Sequence, residues 1–161
     1  MTTRDQIYAV LVSLSGDTLL VPNAAVAEVV SPDRMELAGA EAPAWLAGRI
    51  LYGGRRLPVV RFEVLNGAGR PEQSRRTRLA ILNVITDAVA NGQYAIVCQG
   101  YPHLVTLNRA ALRSEARNST DQEDLVLTRV SIANTHALIP NLESLELRVA
   151  EAETAQAATA A

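Results

Sequence analysis

Short apolar runs, each closed by turn residues, set the pattern of this chain. Residues 7–14 form the first and end at Ser15-Gly16-Asp17. Residues 18–21 follow and stop at Pro22-Asn23, so the two predict a hairpin over a Gly-Asp turn. A third run, 24–30, breaks at Ser31-Pro32-Asp33, and residues 34–42 carry too little periodicity to be more than a loop. Pro43-Ala44-Trp45-Leu46 predicts one helical turn with proline at its start. Strands over 48–52 and 55–61 flank Gly53-Gly54, a pair that supplies the positive φ of a tight turn.

Residues 66–74 are polar, with two glycines and a proline, and mark a boundary between halves. The β pattern resumes over 78–86 and 93–98 around Asn91-Gly92, with a short strand over 103–107. The charged stretch 108–124 predicts a loop or a poor helix. Residues 125–132 and 137–139 give the last strands, joined by a turn over 133–136. A helix is expected from Asn141, a good N-cap, with Leu142, Leu145 and Val149 on one face. The Ala-rich residues 150–161 have no apolar stripe and are expected to be frayed or disordered.

There is an internal echo. Pro58-Val59-Val60-Arg61-Phe62-Glu63-Val64-Leu65 resembles Leu138-Ile139-Pro140-Asn141-Leu142-Glu143-Ser144-Leu145. Two related halves would produce it, and so would chance similarity between two short apolar runs. Many short strands with few helices predict an all-β fold, with two barrels of about five strands each, since closure removes exposed sheet edges.

Composition narrows the function. The 161 residues suit one domain or two small subdomains, and 48% hydrophobic content is enough for a core. The net charge of −2 offers no footprint for nucleic acid. No apolar run approaches the ~20 residues of a membrane span. Residues 1–6 lack the apolar stretch of a signal peptide, so a cytoplasmic location without membrane insertion is expected.

Candidate chemistry is sparse. Cys98, the single cysteine, lies in the apolar run Tyr94-Ala95-Ile96-Val97-Cys98, which suits an inert buried thiol. His103 and His136 lack metal-ligand spacing. Asp121-Gln122-Glu123-Asp124 lacks the alternating ligands and glycine of a calcium loop and reads as a solvated acidic loop. Gly53-Gly54 lies between strands and is no phosphate cradle. Trp45 is either a junction residue, which base rates favour, or an exposed anchor. No catalytic residue, metal or cofactor is expected. Two other classes stay open: a small enzyme pairing Cys98 with a histidine, and a structural or self-assembling β-barrel.

The block Pro43-Ala44-Trp45-Leu46-Ala47-Gly48-Arg49-Ile50-Leu51-Tyr52-Gly53-Gly54-Arg55-Arg56-Leu57-Pro58-Val59-Val60 resembles the signature of CheW-like domains. Val26-Ala27-Glu28-Val29 is similar to that family's Val-x-Glu-Val/Ile strand, and residues 137–145 resemble its closing leucine-rich segment. The resemblance places a CheW-like domain over residues 5–149. It implies two intertwined, SH3-like, five-stranded β-barrel subdomains with a short C-terminal helix. It also implies a non-catalytic adaptor that couples a CheA-type histidine kinase to methyl-accepting chemoreceptors. The matching contact positions are Val26, Glu28, Val29, Gly48 and Gly54. For the two glycines a purely structural role is the stronger expectation.

The chain departs from the family pattern. Gly53 stands where the family has a partner-contacting Arg, so Arg55 or Arg56 would have to offer a guanidinium from across the turn. Leu51 replaces an Asn. Arg61 replaces an Asp that would cap a helix, whereas its second-half counterpart Asn141 still can. Gly100-Tyr101-Pro102-His103-Leu104-Val105 and these losses resemble ChpC-type proteins of type IV pilus chemosensory systems, which control twitching motility.

Overall fold

The structure, a computed structural model, describes residues 6–160. The expectations for the extreme N-terminus and for residue 5 as a domain start lie outside the described residues.

The chain is two similar units in series. The first contains β1 (Gln6–Ser13), β2 (Thr18–Pro22), β3 (Val26–Val30), β4 (Glu36–Leu37), β5 (Leu46–Tyr52), β6 (Arg55–Val60) and the one-turn helix α1 (Phe62–Leu65). The second contains β7 (Thr77–Asn83), β8 (Gln93–Gln99), β9 (His103–Asn108), β10 (Leu112–Glu115), β11 (Val126–Ile132), β12 (Thr135–Pro140) and α2 (Leu142–Ala160). One sheet has the order β10-β11-β12-β2-β1-β9 and the other β3-β7-β8-β6-β5-β4. Each unit therefore lends its opening hairpin to the other. β1 and β2 pair with β9 and β12, while β7 and β8 pair with β3 and β6. This exchange is the expected intertwining. Among the described residues each sheet has six strands rather than five, because β4 and β10 add short edges.

Exchange explains why polar alternation is weak in the hairpin strands. Leu79, Ile81, Ala95 and Val97 fill one barrel, while their alternates Ala80, Leu82, Tyr94, Ile96 and Cys98 face a central cluster between the sheets. Val10, Val12, Leu19 and Val21 reach that cluster from the other sheet, with Phe62, Leu65, Leu142, Leu145 and Val149 from the helices. Ala9, Leu20, Leu107, Val130 and Ala137 fill the second barrel. A strand buried on both faces reads as a continuous apolar run.

The echo in the sequence is a structural repeat. The Arg61 N–H donates to Trp45 O at 2.7 Å, and the Asn141 N–H donates to Leu125 O at the same distance. A bulge interrupts the β5–β6 ladder between Leu46 and Gly48, and another the β11–β12 ladder between Val126 and Thr128. The expected N-cap forms at Asn141, whose Oδ1 accepts from Ser144 N at 3.2 Å.

Three expectations need correction. The strand expected over 78–86 ends at Asn83, because the N–H groups of Ile85 and Thr86 turn away to the buried Glu146 carboxylate. The sequence 121–124 is not simply a solvated acidic loop. The Asp121 side chain is nearly enclosed and takes two bonds from Arg129, which also grips Asp17 (2.7–3.1 Å). The tail is neither disordered nor frayed across its described length, since α2 continues through Ala160. Ala152 is buried, and Glu153 pairs with Arg49 of β5 at 3.2 Å, so the helix packs beyond Ala150. Alanine's high helix propensity adds to these contacts, so no continuous apolar stripe is required.

Candidate coupling face

Val26, Glu28 and Val29 lie on β3, an edge strand whose inner side pairs with β7. A register shift between Val26 and Glu28 follows from a bulge, which re-aims side chains at a sheet edge. Val26 is half-buried against the central cluster, Val29 is half-buried, and Glu28 is exposed. The edge of β3 meets the end of β5, where the Tyr52 hydroxyl donates to Glu28 Oε2 at 2.6 Å. That hydrogen bond and the carboxylate's charge raise the Tyr52 phenol above its ordinary value, with Arg55 acting the other way. Val30, Asp33, Arg34, Ile50, Leu51 and Tyr52 line the shallow groove between the two strands. Leu51 is 66% exposed there, a large apolar side chain with nothing over it.

The β5–β6 hairpin frames this groove. Gly54 is exposed at φ +78° with open space around it, so its role is conformational. Gly48 is buried, and a Cβ there would lie 1.9 Å from Glu36 O. Only glycine lets β4 pair with β5 at this point, so Gly48 shapes the face from behind. Arg55 donates to Asn91 O and, at 2.7 Å, to Gln93 Oε1, while Asn91 returns a bond to Arg56 O at 2.9 Å. Arg56 pairs with Glu36 at 3.5 Å, both exposed. The hairpin tip is thereby stapled to the loop between β7 and β8. The structure thus joins Glu28 to the β5 end and leaves both arginines exposed but engaged.

Sequence reasoning missed Tyr52, Leu51 and Arg34. The available signal was the departure at Leu51, an apolar residue on a strand position whose neighbours in the barrel are already filled.

Cys98 is 1% exposed, and burial pushes its thiol up to about 12, which removes the thiolate that nucleophilic chemistry needs. His103 is exposed, and His136 is exposed beside Glu115 at 2.9 Å. Among the described residues no three His, Cys, Asp or Glu side chains are arranged to hold a metal ion. No described helix is long and apolar enough to cross a membrane. Trp45 is half-buried against the central cluster, at the junction of the sheets.

Two strand-exchanged SH3-like barrels, with an open groove at the edge of one sheet, define the fold class of this chain. The chain belongs to the CheW-like domain family, whose model matches residues 9–148. Its fold is similar to the crystal structure of the scaffolding protein TtCheW from Thermoanaerobacter tengcongensis, with TM-score 0.69 and 17% identity over 84% of each chain. A comparison with curated proteins gave no match.

Proposed function

We propose that this chain is a non-catalytic, cytoplasmic adaptor that couples a CheA-type histidine kinase to methyl-accepting chemoreceptors in a chemosensory array. The observation that carries the reading is the groove between β3 and β5, in a chain of the CheW-like family. It combines an exposed leucine, an exposed carboxylate held by Tyr52, and the unpaired outer edge of β3. An apolar floor supplies binding energy, and a rim charge steers and selects. The kinase contact is assigned to Val26, Glu28 and Val29, with Leu51 and Tyr52 beside them, and Arg55 and Arg56 at the rim. Gly48 and Gly54 act by shaping the backbone.

The departures at Leu51, Gly53 and Arg61 favour a divergent array, with output to type IV pilus twitching motility rather than flagellar swimming. The test is a three-component pull-down with the cognate kinase and a soluble receptor signalling tip. The adaptor reading expects kinase and tip to co-elute only when the chain is present. Capture of neither, or of the chain with itself alone, would favour a structural barrel instead.

A further inference from the structure

Arg61 occupies the position that Asn141 occupies in the second unit, yet it does not cap its helix. No side chain caps α1, and the Arg61 guanidinium turns back to Ala44 O at 3.1 Å. Arg61 lines a cavity of about 160 Å³ together with Arg70, over a floor that includes Met35, Leu79 and Val97. Among the described residues neither arginine pairs with a carboxylate; the ion pairs use Arg49, Arg56, Arg129 and Arg148. Burial and the neighbouring Arg70 charge both lower the Arg61 pKa. Two like charges, one of them partly desolvated, face one cleft without an ion-pair partner, the Glu63 charge acting on Arg61 only from a distance and Glu72 standing on the cavity wall.

We propose that this cleft binds an acidic segment of a partner protein, its carboxylates on Arg61 and Arg70 and an aliphatic side chain on the Met35–Leu79–Val97 floor. The guanidinium fork suits a planar carboxylate, and the apolar floor suits a side chain that no phosphate polymer carries. Glu72 on the cavity wall and the chain's net charge of −2 weaken capture by charge alone, so the apolar floor is what favours a peptide over a polyanion or an anionic membrane. This surface is additional to the groove between β3 and β5 and does not depend on the kinase reading.

The experiment is fluorescence anisotropy of the full chain with a labelled peptide, acetyl-Glu-Asp-Leu-Glu-Asp-amide. Anionic phosphatidylserine vesicles and heparin serve as competing probes. Saturable peptide binding is expected, weakened about tenfold or more in Arg61→Asn and in Arg70→Gln, as for loss of a charge-assisted bond. The Arg61→Asn variant should melt no lower than wild type, since Asn restores a cap. Arg70 is exposed, so Arg70→Gln reads binding without a folding effect. Absence of peptide binding, unchanged affinity in both variants, or binding to vesicles or heparin in place of the peptide would overturn the proposal.

Discussion

The two units carry the same frame and treat its polar groups differently. Each ends with a strand running into a helix, and each helix buries a glutamate that reaches a hairpin turn. In the first unit Glu63 accepts a single long bond from Ser15 N (3.3 Å), and its Oε1 is buried without a partner. In the second, Glu146 is fully buried and accepts from Ile85 N, from Thr86 N and from Thr86 Oγ1 at 2.6–3.2 Å, with the Tyr94 hydroxyl at 3.5 Å. The second helix is capped by Asn141 and runs 19 residues; the first is uncapped and makes one turn. The β3–β5 groove and the Arg61 cleft both open on the barrel built mainly from the first unit. Each unit keeps one buried carboxylate oxygen without a partner, Glu63 Oε1 in the first and Glu153 Oε1 in the second, so the contrast lies in the capped, anchored second helix against the uncapped first one.

The largest effect should come from Glu146→Ala. It strands the donors of Ile85 and Thr86 inside the protein, and the expected loss is about 3 kcal/mol or more, read by denaturant melts. A loss below ~1 kcal/mol would show that α2 is not the anchored helix.

Next is the clasp of Arg129 with Asp17 and Asp121, which joins the β1–β2 turn to β11. Arg129→Ala leaves the buried Asp121 carboxylate with fewer donors and should cost about 2 kcal/mol. The paired guanidinium holds the Asp121 carboxyl at about 2, below its ordinary value of 3.8. A depressed carboxyl stabilises the fold above the unfolded value and loses that contribution as pH falls toward 2. Wild-type stability should therefore decline between pH 4 and 2 more steeply than that of Arg129→Ala, in parallel thermal melts.

Truncation after Ala150 removes the Ala152 contact and the Arg49–Glu153 pair. It should lower the melting temperature by about 3 °C, corresponding to ~1 kcal/mol. No change would restore the view of the tail as inert.

The smallest effect has the opposite sign. Burial raises the Glu63 carboxyl above its ordinary range, so the folded state holds that proton more tightly than the unfolded chain. Stability from this group is present at low pH and lost as pH rises through the carboxylate range. Glu63→Gln should stabilise the protein at neutral pH by up to about 1 kcal/mol, whereas Glu146→Gln should destabilise it. Like signs for the two variants would erase the contrast between the units.

Much of the frame is legible locally. The turns at Gly16-Asp17 and Gly53-Gly54, the Asn141 cap and the strand-to-helix echo need only neighbours in sequence. What was hidden depends on distant groups. Ile85 and Thr86 leave their strand for Glu146, some sixty positions away, as the hydrogen bonds record. The edge strand β10, Leu-Arg-Ser-Glu, has no alternation and is held by its ladder to β11. The reciprocal hairpin exchange leaves no local mark beyond runs apolar on both faces. At the candidate face, Glu28 was found through resemblance, whereas its partner Tyr52 is chosen by the approach of β3 to β5 and by nothing in its own neighbourhood.

The account rests most on the β3–β5 groove as the coupling face, and one titration addresses it. Wild type and Glu28→Arg are titrated calorimetrically into the regulatory domain of the cognate CheA-type kinase, with thermal melts in parallel. Glu28 is exposed, so the substitution should change folding stability by only about 0.5 kcal/mol. It reverses the rim charge and removes the acceptor of the Tyr52 hydroxyl, so kinase affinity should fall about tenfold. Equal affinities with matching melts would contradict the assignment of this face.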